Sequence, residues 1–173
     1  MSAHPPIQVV NQNDEPVNGQ SLQTVHDQGL IHRVIHVIVE DEHGHILLQK
    51  RSSNLSIYPN CWDISVGGHV DLGEGYQETA TRELQEELGL SGLQLVERGH
   101  YYYELTINNK LLKRFATDFK ATISHDTPIH FPPDEISAVQ WQSVAEIKQL
   151  IKAHPDMVAN GLVDSIARYY AEG

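Results

Sequence analysis

The chain has 173 residues, enough for one domain with a full core and little room for a second. Its apolar fraction of 40% is ordinary for a globular protein, and a formal net charge of −11 argues against non-specific binding to nucleic acid. A single cysteine, Cys61, excludes an internal disulfide and fits a reducing cytoplasm, MSAHPPIQVV lacks the features of a signal peptide, and nothing approaches the roughly 20 apolar residues of a membrane span.

In chain order, residues 7–10 (IQVV) read as a short strand, followed by the turn-rich NQNDEPVNG. Residues 20–28 wander or form a short helix. Ile31 to Glu40 is a β-branched run of good strand character. Asp41-Glu42-His43-Gly44 is a turn from which His45 to Arg51 returns, so the two strands form a hairpin. SSNLSIYPN is a loop broken by Pro59, and Trp62 to Val66 is a third strand that delivers the chain into Gly67-Gly68. Helix formers run from Tyr76, after Gly73 and Gly75 flanking Glu74, and Gly89 stands where a helix ends. Ala80, Leu84 and Leu88 recur every fourth residue as one narrow apolar stripe. Leu93 to Leu105 gives a strand, Asn108-Asn109 a hairpin turn, and Leu111 to Ala121 the returning strand. Thr127 to Asp134 is a Pro-containing loop, Ile136 to Trp141 a last strand, and helices over about 144–153 and 157–170 close the chain. Strands, one helix, strands and then helices predict an α+β fold with a mixed sheet sandwiched between helices.

Glu83, Glu86 and Glu87 stand at i, i+3 and i+4, within about 100° of arc on a face apart from the apolar stripe. Like charges so placed destabilise an isolated helix by about 0.2–0.5 kcal/mol per pair. A Glu-rich face is usually just solvated. A cluster that is locally unfavourable instead points to a cation held there, and all-oxygen ligation favours Mg²⁺ or Mn²⁺.

The surrounding spacing decides between these readings. From Gly68 there are five residues to Glu74, seven more to Arg82, and then Arg-Glu-Leu-Gln-Glu-Glu-Leu-Gly-Leu as far as Leu90. The stretch 68–90 resembles the Nudix box with every defining position filled. At the level of layout the resemblance extends to Gln49-Lys50-Arg51, the approach at Trp62 and the strand at Trp141. It implies one Nudix domain over 1–173, with its core over about 30–160, and an α/β/α sandwich around a mixed central sheet. Nudix-like enzymes hydrolyse a diphosphate linked to another moiety, by water attack on phosphorus with Mg²⁺ or Mn²⁺. Carried over residue by residue, the resemblance implies that Glu83, Glu86 and Glu87 hold the metal with the Gly68 carbonyl. It further implies that Arg82 fixes the glutamates by ion pairing and that Glu74 braces the loop entering the helix. Glycine at 67 and 68 lets backbone approach the metal closely. Glu83, Glu87, Glu135 and Asp134 are the alternatives for the general base. Lys50, Arg51 and His69 are candidates to meet substrate phosphate, although surface solvation explains Lys50 and Arg51 about as well. The expected partner is a small-molecule diphosphate, with neither nucleic acid nor membrane. Nucleoside di- and triphosphates, nucleotide sugars and isoprenoid diphosphates are all compatible with the motif.

Within the superfamily the chain looks most like the branch near isopentenyl-diphosphate isomerase, on His26, Gly29-Leu30-Ile31-His32, Gln49-Lys50-Arg51 and Trp62-Asp-Ile-Ser-Val-Gly-Gly-His69. In the isomerases, histidines matching His26, His32 and His69 bind a metal completed by carboxylates from a later strand, and a catalytic cysteine precedes the Gly-His pair. Here that position is Gly67, and Cys61 lies six residues earlier, roughly 20 Å along an extended strand. The later strand reads Leu112-Lys113-Arg114-Phe115, without acids. A tyrosine among Tyr101 to Tyr103 cannot run the proton transfers alone. The expectation is therefore a diphosphate hydrolase rather than an isomerase. Scattered surface positions are the commoner explanation for most of the eleven histidines, and a vestigial or substrate-contacting cluster of His26, His32 and His69 is the alternative. A non-catalytic Nudix-fold binding module is the third reading, and retention of Glu83, Glu86 and Glu87 speaks against it.

Overall fold

β1 (Ile7–Val10) pairs antiparallel with β2 (Pro16–Gln20) in a computed structural model that describes residues 4–172. Asn11 Oδ1 fixes the turn between them by accepting from the backbone N–H groups of Asn13 and Glu15. The turn-rich reading of this segment missed β2. Its residues are mostly exposed, and ladder pairing to β1 rather than an apolar face keeps them extended. α1 (Leu22–Gln28) starts at Ser21, whose side chain accepts from the Thr24 N–H, and ends at Gly29 in the left-handed region.

β3 (Ile31–Glu40) is the axis of the sheet. On one edge it pairs parallel with β8 (Lys110–Thr122), from Ile31↔Lys113 to Glu40↔Thr122. β7 (Val96–Ile107) is the hairpin partner of β8, across Asn108 and Asn109, both at positive φ as the twist of a tight hairpin favours. On its other edge β3 pairs with β6 (Val66–His69). The expected hairpin between β3 and β4 (Ile46–Arg51) therefore meets at a single pair, Glu40↔Ile46, because β6 takes the edge that a longer hairpin would use. β4 swings away and pairs with β5 (Trp62–Asp63) and β9 (Ile136–Gln142). The predicted strand 62–66 is broken for the same reason: the chain leaves the edge of β4 and crosses to the edge of β3. Ser65 ties the diverging strands together, its Oγ donating to Leu47 O at 2.6 Å and accepting from Val39 N–H at 2.9 Å.

Side-chain alternation along β3 sorts two cores. Ile35, Val37 and Val39 join Leu47 and Val66 beneath α2 (Tyr76–Leu88), which buries the predicted stripe Ala80, Leu84 and Leu88. Ile38, with Ile46 and Leu48, meets Ile147 of α3 (Val144–Ala153) and Leu162 and Ile166 of α4 (Asn160–Tyr169). The result is the expected α/β/α sandwich. The last helix starts later than expected, after a 3-10 turn at Pro155–Met157. Among the described residues no helix is long and apolar enough to cross a membrane.

α2 stops at Gly89, which has φ +67° and whose N–H is bonded to Gln85 O. A Cβ there would lie 3.1 Å from His130 Cβ. Gly89→Ala is expected to lower stability by about 1–2 kcal/mol through the left-handed backbone and this contact. Thermal melts should then show a fall in Tm of about 3–6 °C for a chain of this size.

Candidate active site

The divergence of β3 and β4 opens a cleft of about 410 Å³, with β6, the acidic face of α2 and the start of α4 among its walls. Arg82 is the hub of the acidic side. Its Nε and Nη2 donate to the two oxygens of Glu74, both at 2.8 Å, in a bidentate pair. Nη1 donates to Glu83 Oε1 at 3.0 Å and Glu86 Oε2 at 3.1 Å, and Nη2 lies 3.3 Å from Asp71 Oδ2. Glu74 also accepts from the Asp71 N–H and from Thr79 Oγ1, so it clamps the loop before α2 to the helix. The Arg82 bond above all holds its carboxyl below the usual range.

Glu83 lies directly against the β6 backbone. A Cβ on Gly68 would stand 2.6 Å from its Cγ, Cδ and Oε1, so the close approach needs glycine for room. Glu87 is only 8% exposed. Its Oε1 accepts from Gln49 Nε2 at 3.0 Å, a group that also donates to Ser65 O at 2.9 Å. Its Oε2 is buried and accepts from no N–H or hydroxyl donor among the described residues, and the Glu83 carboxyl lies within hydrogen-bonding reach of Glu87. Burial, and then the charge of Glu83, push the Glu87 carboxyl well above the usual carboxylate range. Burial also raises Glu83, against the pull of Arg82. Glu86 is half exposed at the rim. An all-oxygen donor set, one orphaned oxygen and two carboxyls that resist ionising together fit a hard divalent cation, whose charge would relieve each of these penalties.

The other candidates divide. Glu135 and Arg51 line the cleft. Arg51 Nε donates to Ile57 O, and its Nη1 lies 3.6 Å from Asp63 Oδ2. Lys50 does not line the cleft: its Nζ sits over the Trp62 ring, 5.9 Å from the centroid. Strand alternation explains the split, since Gln49 and Arg51 share one face of β4 and Lys50 the other. Asp134 is exposed outside the cleft wall.

Sequence reasoning missed Gln49 as the residue that orients Glu87, although its place two residues before Arg51 on the same face was a usable signal. It also missed His36, which borders the cleft and whose Nδ1 donates to Asp118 Oδ1 at 2.8 Å. Asp118 is fully buried and accepts from Tyr101 and Tyr169 hydroxyls as well. Burial works against its ionisation, but the bonds from His36 and the tyrosines outweigh it and hold the carboxyl below the usual range. No local pattern marks this pair; β3–β8 pairing creates it.

His69 lines the cleft and packs with His26 and His32, at ring separations of 5.9, 6.0 and 5.7 Å. The three offer nitrogens within 4.8 Å of one another, and Nε2 of His26 and of His69 is buried without a partner. Donor type and spacing would suit a metal, but the site does not fit one. Arg114 Nε already occupies His32 Nε2 at 3.2 Å, its charge opposes a second cation beside it, and among the described residues no carboxylate completes the set. Burial, and then Arg114, hold His32 down to about 3, and the same two causes lower His69 and His26.

The chain matches the NUDIX domain family over residues 30–160. It is 33% identical over 141 residues to an uncharacterized Nudix hydrolase of Yersinia pestis, an alignment covering 82% of this chain and 74% of that relative. Isopentenyl-diphosphate Delta-isomerase 2 of Photorhabdus laumondii is 27% identical over 149 residues, covering 86% and 83%. Among solved structures, DR0079 from Deinococcus radiodurans has the same fold, with a TM-score of 0.77 at 23% identity over 95% of this chain and 98% of that one.

Proposed function

The chain belongs to the Nudix family, and on that premise we propose that it is a Mg²⁺- or Mn²⁺-dependent hydrolase. It cleaves the diphosphate bond of a small molecule, a nucleoside diphosphate derivative or a related diphosphate, by water attack at phosphorus. The observation that carries this reading is the buried Glu87 carboxyl set against the Glu83 carboxyl, with no N–H or hydroxyl donor to its Oε2, an arrangement that disfavours ionising both groups without a cation.

Glu83, Glu86, Glu87 and the Gly68 carbonyl would hold the ion. When bound, it supplies neutralisation of the diphosphate oxygens and polarisation of the phosphorus. Gln49 fixes the Glu87 rotamer, and Arg82 holds Glu83 and Glu86 in place without reaching substrate. Glu135 lines the same cleft and makes no ion pair among the described residues, which leaves its carboxylate free to accept the proton of the attacking water. Glu83 and Glu87, both held above the usual range, are the other carboxylates able to take a proton. Arg51 and His69 meet the substrate from the cleft wall. Lys50, sitting over Trp62, is left out of this assignment.

Isomerisation is the weaker reading. Gly67 offers no thiol, and Cys61 is buried away from the cleft, its Sγ donating to Asp156 O at 3.6 Å. Burial pushes that thiol up, away from the reactive thiolate. We take residues 1–173 as one Nudix domain in a reducing cytoplasm. The single sheet through all nine strands and the lone buried thiol support this.

The test is hydrolysis of a panel of nucleoside di- and triphosphates, nucleotide sugars, ADP-ribose and isopentenyl diphosphate, read as the phosphomonoester, pyrophosphate or phosphate products separated by anion-exchange chromatography. Turnover of one class with Mg²⁺ or Mn²⁺, abolished by EDTA, is the expected result. A folded protein that releases nothing from any member with either ion would sink the hydrolase reading.

A further inference from the structure

Three arginines line the cleft, and their partners differ. Arg51 faces Asp63, and Arg82 is surrounded by Glu74, Glu83, Glu86 and Asp71. Arg114 has no carboxylate within 4.0 Å among the described residues, although the chain carries a net charge of −11. Its hydrogen bonds go to neutral groups: Nε donates to His32 Nε2 at 3.2 Å, and Nη1 donates to Tyr103 Oη at 3.4 Å. His32 is fully buried, and its Nδ1 donates to Leu30 O at 2.9 Å, so its Nε2 is free only to accept. His26 and His69, packed around it, add no negative charge. The guanidinium is thus oriented by a rigid neutral base but left uncompensated, and a partly buried cation in that state favours a counter-anion.

We propose that Arg114, positioned by His32 and Tyr103, is an anion subsite of the cleft that takes a phosphoryl group of the substrate, apart from the carboxylate cluster. Arg114 is in register with His32 on β3, whereas Gly68 is in register with Ile35. Three residues of strand separate the two levels, about 10 Å along β3. A substrate reaching from one to the other carries negative charge on both sides of that gap. The inference deepens the hydrolase reading by naming what its substrate must present. It depends on that reading only for treating the cleft as the substrate site.

Calorimetric titration with inorganic pyrophosphate, in EDTA at low salt, tests the subsite without turnover. Wild-type protein is expected to bind, with affinity falling as salt rises. Arg114→Met should weaken binding by about tenfold or more, the loss expected for a charge-assisted hydrogen-bonded pair, while Arg114→Lys keeps most of it. Arg114→Met also removes the donor to the buried His32 Nε2, so its Tm should fall somewhat, and affinities are compared at a temperature well below every midpoint, with circular dichroism confirming that each variant is folded. Undetectable binding by the wild type, or equal affinity in wild type and Arg114→Met, overturns the proposal. In a second arm, the number of Mn²⁺ and Zn²⁺ ions bound is compared between wild type and His26→Ala. Equal numbers are expected, and loss of an ion in the variant overturns the proposal by making the histidines a metal site. Failure of the hydrolase reading would show up separately, as pyrophosphate binding that depends on Arg114 in a protein that hydrolyses no member of the substrate panel.

Discussion

Glu87→Gln is expected to lower kcat by about two to three orders of magnitude while leaving the fold intact. The side chain keeps its shape, and its remaining carbonyl oxygen can still accept from Gln49, so the helix and cleft have no cause to move. What goes is one negative charge beside Glu83, and with it the affinity for a divalent ion at the place where diphosphate charge must be neutralised. The same change should stabilise the metal-free protein. Both carboxyls are held above their usual range, so the stability they contribute is complete below about pH 4 and is lost as pH rises through the raised values. Glutamine has no proton to lose. In EDTA the Tm advantage of the variant over the wild type should therefore widen between pH 5 and pH 8. Near-wild-type turnover by this variant, with Mg²⁺ on a verified substrate, would show that Glu87 is not a metal ligand.

Gly68→Ala should reduce kcat/KM by about tenfold to a hundredfold, the loss typical when a reacting group is displaced by about 1 Å. The added methyl would sit 2.6 Å from three atoms of Glu83, well inside contact distance, and the flexible end of that side chain is what must yield. Moving it stretches the bond from Arg82 Nη1 and takes the carboxylate off the β6 backbone. Gly68 has no positive φ, so no backbone strain accompanies the change and Tm should fall little. A steady-state assay with a Mg²⁺ titration separates the outcomes: weaker metal dependence with a lower rate is expected. An unchanged metal midpoint and rate would show that Glu83 does not need this place.

Much of the frame was legible because it is local. The stripe Ala80, Leu84 and Leu88, the stop at Gly89, the Asn108-Asn109 turn and the limits of α3 are written in residues within a few positions of one another, where periodicity and turn chemistry act. The failures share a cause. β2 is held by pairing, not by its own residues. The β3–β4 hairpin and the unbroken 62–66 strand gave way because a distant segment, β6, competes for one edge of β3. The same holds within the cleft. The contacts among Glu74, Arg82 and the glutamates span one loop and one helix, and their spacing makes them readable. His36 with Asp118 and His32 with Arg114 each lie 82 residues apart, and register alone joins them. Of the two readings open for Lys50, phosphate contact and surface solvation, its place off the cleft favours the second, because strand neighbours point to opposite faces.

β3 also governs when the molecule can exist at all. Apart from one pair with the earlier β1, Val9↔His32, its partners on both long edges come later in the chain: His36 meets Gly67 on one side and Asp118 on the other. During synthesis an apolar ten-residue strand is therefore made well before either partner, and closing the parallel edge must wait for the loop between them to be drawn in. A nascent chain that stalls before residue 110 exposes an unpaired β-branched edge, the kind of surface that recruits other chains. Arg114, which lines the cleft, and Asp118, which accepts from His36 at its border, arrive on the strand that ends this vulnerable interval.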